Sequence, residues 1–109
     1  MLTREGILGA KDLPVKAVPV PEWGEGEVVY VRTMTGIEVE GLRGISEDEN
    51  YFGRFAATVL CDEQGERVFA DGDAELLGKK NHNALRRICD EANTLNGMGA
   101  DAQEEAVKN

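Results

Sequence analysis

The chain has 109 residues, of which 41% are hydrophobic and 13 are glycine; this is the composition of one small globular domain and leaves no room for two independent cores. Its 12 basic and 21 acidic side chains give a net charge of −9. That surplus excludes binding to a phosphate backbone, which needs Lys and Arg to displace counterions, and disfavours anionic membrane surfaces for the same reason.

Thr3 is placed to cap a short turn through Leu8, weakened by Gly6 and Gly9. Val15 to Pro21 reads as extended. Its prolines remove ladder donors and disfavour helix at the preceding residue, which restricts it to a sheet edge. Gly24-Glu25-Gly26-Glu27 supplies a reversal into Val28-Val29-Tyr30-Val31-Arg32-Thr33, a run of strong β-formers, so the pair is expected to form a hairpin. Two strands alone are marginal in water and require helices or another copy of the chain against their apolar face.

At Thr35 the period changes. Thr35-Gly36-Ile37-Glu38 has the spacing of a capping box and predicts a short helix, with Gly41 and Gly44 weakening it. The acidic run Glu47-Asp48-Glu49 precedes a cleaner helix, in which Phe52, Phe55, Ala56, Val59 and Leu60 follow the i, i+3, i+4, i+7, i+8 rule. Asp62 to Glu66 reads as a turn and Arg67-Val68-Phe69 as at most a brief extended piece. Asp71 is the expected cap of a short helix carrying Leu76 and Leu77 and stopped by Gly78. Asn81 caps the best-patterned helix, with Leu85, Ile88, Cys89, Ala92 and Leu95 on one stripe and Asn96-Gly97 at its end. Ala102 to Lys108 suggests a further turn or two of frayed helix. The expected fold is α+β: a small N-terminal antiparallel hairpin or sheet packed with three to five mostly C-terminal helices. A single domain spans residues 1–109, with 1–14 and 98–109 as less ordered ends.

Charge is unevenly placed. Residues 22–49 hold eight acidic and two basic side chains, −6, against +1 for residues 1–21 and −4 for residues 50–109. The residues offer little chemistry. His82 is the only histidine and cannot build a tetrahedral zinc site without partners. Cys61 and Cys89 belong to no CxxC motif, are too few for a disulfide framework, and read as small buried hydrophobes. Asp62 to Gly65 fails the calcium-loop pattern because the glycine comes at the fourth position rather than the sixth. Ser46 is the only serine, and no glycine motif fits a nucleotide loop. An enzyme is not expected, nor is a cofactor or a metal. No apolar run is long enough to span a bilayer and Met1 to Ala10 has no signal pattern, so the expected compartment is the reducing cytoplasm.

What remains is surface. Trp23 at the hairpin tip and Tyr30 in the second strand are the candidate residues for partner binding or self-association; for a lone tryptophan in a small protein a core or staple role is the more frequent one. Five stretches then carry a resemblance by their order and spacing: Val18-Pro19-Val20-Pro21-Glu22-Trp23-Gly24; Val31-Arg32-Thr33-Met34-Thr35-Gly36; Val59-Leu60-Cys61-Asp62-Glu63-Gln64-Gly65-Glu66-Arg67-Val68-Phe69; Asp73-Ala74-Glu75-Leu76-Leu77-Gly78-Lys79-Lys80; and Leu95-Asn96-Gly97-Met98-Gly99. In that order they resemble the small tail assembly chaperones of phages and prophages with long non-contractile tails. The segment Glu38 to Glu49 departs most from that pattern.

The resemblance implies a non-structural morphogenesis factor working in the bacterial host cytoplasm; the thin core and the uncovered hairpin add the expectation of a homo-oligomer. It implies binding to the tape measure protein, which it keeps soluble, and recruitment of the tail tube protein, with no catalytic residues to carry over. It also implies that this chain corresponds to the shorter product of a frameshifted message. A minor structural tail or head–tail connector protein is the alternative.

Overall fold

The computed structural model describes residues 1–45 and 49–97. Ser46, Glu47, Asp48 and residues 98–109, including the expected C-terminal helical turns and less ordered end, lie outside the described residues. The chain runs α1 (Arg4–Gly9), β1 (Val15–Pro19), β2 (Val28–Arg32), α2 (Gly36–Arg43), α3 (Tyr51–Val59), β3 (Leu60–Cys61), α4 (Ala74–Gly78) and α5 (His82–Leu95). The sheet order is β1-β2-β3, antiparallel throughout. This is the α+β arrangement expected, with the proline-bearing strand at an edge.

Register decides which residues become core. Val18 pairs with Val29, Lys16 with Val31 and Leu60 with Val31, placing these on one face. Val18 and Val31 are fully buried there beside Phe55 and Val59 of α3 and Ile88 of α5. Burial of each such aliphatic side chain contributes about 1.5–3 kcal/mol. α5 is tied across this layer by polar contacts at its margins. Lys16 Nζ pairs with Glu91, and Arg87 makes a two-pronged bond to Glu22, both at 2.7 Å.

Local signals account for the helix ends. Thr35 Oγ1 accepts from the Glu38 amide at 3.2 Å while Glu38 Oε1 accepts from the Thr35 amide at 3.0 Å, completing the capping box of α2. Asn81 Oδ1 accepts from the Ala84 amide at 3.0 Å at the start of α5. Gly97 closes the other end with φ +74. Asn96 works in two directions there: its Nδ2 donates to Ala92 O and its Oδ1 accepts from the Met34 amide, both at 2.9 Å. The end of α5 is thereby fastened to the start of α2.

Two expectations need correction. The apolar stripe assigned to one helix through Leu60 breaks at Val59, and Leu60-Cys61 form a third strand against Tyr30 and Val31. Both residues are buried; a two-residue strand covered on both sides has no alternation to reveal it. Nor does Asp71 cap α4. Its carboxylate accepts from Arg67 Nη2 at 2.9 Å, while Asp73 Oδ2 takes the Ala70 amide at 2.9 Å and a single 3-10 turn, Asp71–Asp73, leads into the helix.

The junction of α3 with α4 depends on Asn50, which sits in the left-handed region at φ +62 and ψ +48. Asparagine tolerates that conformation better than most residues. Its Nδ2 donates to Ala74 O at 2.8 Å, and its amide lies between two glycines. A Cβ at Gly53 would fall 2.6 Å from the Asn50 carboxamide, and one at Gly78 would fall 2.7 Å from Asn50 Cγ. Hydrogen at both α-carbons lets the two helices approach around this side chain.

Candidate interaction surfaces

The strongest electrostatic feature joins β2 to α2. Arg32, only 5% exposed in its side chain, donates from Nη1 to Glu38 Oε1 at 3.0 Å and from Nη2 to Oε2 at 2.9 Å. Nη1 also donates to Thr33 O at 2.8 Å. Burial works to raise the Glu38 carboxyl, but the hydrogen bonds from Arg32 and from the Thr35 amide, with the Arg32 charge, outweigh it and hold the group below its ordinary value. Glu22, gripped by Arg87, is lowered to about 2. Both pairs tie elements of the fold together, and Glu38 also lines the groove beside α2.

α3 and α5 bury their apolar stripes in the protein's own core: Phe55, Ala56 and Val59 on one, Ala84, Leu85, Ile88, Cys89 and Ala92 on the other. The exposed large apolar side chains lie elsewhere, at Met1 and Leu2, on α1 (Ile7, Leu8), on β2 (Val28), and at Ile37, Val68 and Leu76. A groove of about 810 Å³ runs between α2, the first turns of α3 and residues 67–75, with Ile37, Leu42, Ile45, Arg54 and Asp71 among its walls. Its titratable groups are carboxylates and arginines, some already paired with each other.

Of the residues singled out in the sequence, Trp23 lies in the single 3-10 turn after β1. It is half-buried against the core, with its Nε1 unpartnered among the described residues. Tyr30 is on the opposite side of the sheet, where its hydroxyl donates to Glu63 Oε1 at 3.2 Å. The Glu63 charge and this bond push the phenol above its ordinary value. The two candidates therefore belong to different surfaces. His82 is exposed at the first turn of α5 with its ring edge-on to Phe52. Cys61 and Cys89 are buried and free. Burial pushes both thiols up, Cys89 to about 12 with help from Asp90. Among the described residues no group of three or more His, Cys, Asp or Glu side chains is placed to hold a metal ion, and no helix is long and apolar enough to cross a membrane.

The residues that sequence reasoning missed are Ala17, Pro19 and Val28. They share the face of Tyr30, because Ala17 pairs with Tyr30 and Pro19 with Val28. Ala17 and Pro19 are exposed, Val28 is 45% exposed, and Tyr30 is half-buried. In Val28-Val29-Tyr30-Val31 every residue is apolar or aromatic, so the sequence could not show which half faced outward.

The chain thus presents a three-stranded antiparallel sheet with helices on one face and an apolar face left toward solvent. Among solved structures, the tail assembly chaperone of bacteriophage HK97 has this fold: its TM-score to the chain is 0.63 at 26% identity, covering 82% of this chain and 88% of that one. No family model matches the sequence, and no curated protein matches it. The order of the sequence motifs and the fold agree on a phage tail assembly chaperone family.

Proposed function

We propose that this chain acts as a phage tail assembly chaperone that binds the tape measure protein, keeps it soluble, helps recruit tail tube subunits, and is absent from the finished virion. The observation that carries the reading is the shared fold, at 26% identity over 82% of the chain, with the tail assembly chaperone of bacteriophage HK97. Physical chemistry supports it. A long helical rod displays apolar stripes that self-associate unless covered. Copies of a domain carrying −9, each bound weakly at one of many sites, cover the stripe through avidity and keep the rods apart through charge.

The test is coexpression with the cognate tape measure protein. The soluble fraction of that protein should rise and the two should copurify. Equal solubility with and without the chain refutes the chaperone reading. Stoichiometric presence of the chain in purified particles refutes its non-structural part and makes it a minor tail component.

A further inference from the structure

We infer that the open half of the sheet, formed by Ala17, Pro19, Val28 and Tyr30, docks an amphipathic helix whose apolar stripe is flanked by basic residues. The inference deepens the chaperone reading, on which it rests, by assigning a surface and a charge pattern to the partner. The opposite face is occupied: Val18, Val20 and Val31 are buried against α3 and α5. On the outward face, Arg32 and Cys61 are buried toward one end, and the turn from Asp62 to Glu66 folds over that end, bringing Gly65 against Val15. The remaining surface is an apolar floor of two cross-strand pairs, Ala17 with Tyr30 and Pro19 with Val28, in which Tyr30 is the amphipathic aromatic that interfaces favour.

Its rim decides the occupant. Glu63 stands at the Tyr30 hydroxyl, Asp62 and Glu66 occupy the same turn, and Glu25 lies in the β1–β2 connection at the other end; all four are exposed. The sheet's two basic side chains cannot neutralise this rim, since Lys16 pairs with Glu91 on the core side and Arg32 with Glu38. A second copy placed face to face would oppose two acidic rims. A helix bearing Lys or Arg beside its apolar stripe satisfies floor and rim together.

The experiment uses the full chain and two synthetic helical peptides sharing one leucine stripe, flanked by lysines in the first and by glutamates in the second. The lysine peptide should perturb the backbone NMR signals of Ala17, Val28, Tyr30 and Glu63 and bind more tightly than the glutamate peptide. Val28→Asp should weaken it about tenfold, equivalent to about 1.4 kcal/mol. Glu63→Lys with Glu66→Lys, at exposed turn positions that leave the core untouched, should reverse the preference between peptides. Perturbations confined to the helices, an unchanged preference in the double variant, or a dimer of the free chain that Val28→Asp dissolves would overturn the assignment. If the wild-type chain solubilises the tape measure protein and Val28→Asp does so equally well, the surface is wrong while the chaperone role stands.

Discussion

Removing the Glu38 carboxylate by Glu38→Ala is the sharpest test of how β2 and α2 are joined. The change deletes both prongs of the Arg32 pair, at 3.0 and 2.9 Å, and the bond to the Thr35 amide. It strands a guanidinium 5% exposed in its side chain with Thr33 O as its remaining acceptor. Breaking a buried pair from one side costs about 3–5 kcal/mol. Glu38 keeps 18% of its side chain in solvent, which argues for the lower end, about 3 kcal/mol with the lost cap included. Against a total stability of about 5–15 kcal/mol that is a large fraction. Urea unfolding should report it as a lower midpoint with unchanged slope. Replacing both partners together, Arg32→Met with Glu38→Met, should recover much of the loss, because no charge is then left buried. A single-variant loss under about 1 kcal/mol, the level of an exposed ion pair, would refute the reasoning. The pH dependence has a defined sign. The folded carboxyl lies below its ordinary value of 4.5, so the pair's contribution is complete above that value and disappears as the pH falls through the folded one. Glu38→Ala should therefore flatten the acid limb of the stability curve.

Three further outcomes follow from the packing. Gly53→Ala should destabilise by about 1–3 kcal/mol in thermal or urea unfolding, because the added methyl meets the Asn50 amide and the Ala74 carbonyl; Gly41→Ala, where a Cβ meets nothing within 4 Å, should stabilise α2 by up to about 1 kcal/mol. The buried thiols should be inert in the native protein: at about pH 8 an aromatic disulfide reagent should react with Cys61 and Cys89 only as fast as the protein opens, and promptly with both in denaturant.

Much of this fold was written locally. Thr35 with Glu38, Asn81, and Asn96-Gly97 mark helix ends because capping is satisfied within a few residues. The stripe from Leu85 to Ala92 marks a core helix because its period belongs to that helix alone. The prolines beside Val18 kept their strand at an edge because a missing amide cannot enter a central ladder.

Other features exist only once distant segments meet. Leu60-Cys61 became a strand because Tyr30 and Val31 were there to pair with them. Arg32 found Glu38, and Asn50 settled between Gly53 and Gly78, through contacts that no local pattern encodes. The same holds for the outward surface. The sequence by itself determined that the chain is acidic and carries one histidine and one serine. Only the tertiary structure decided that Trp23 turns toward the core while Val28 and Tyr30 turn away, since in an all-apolar strand the covered face is chosen by where α3 and α5 come to rest.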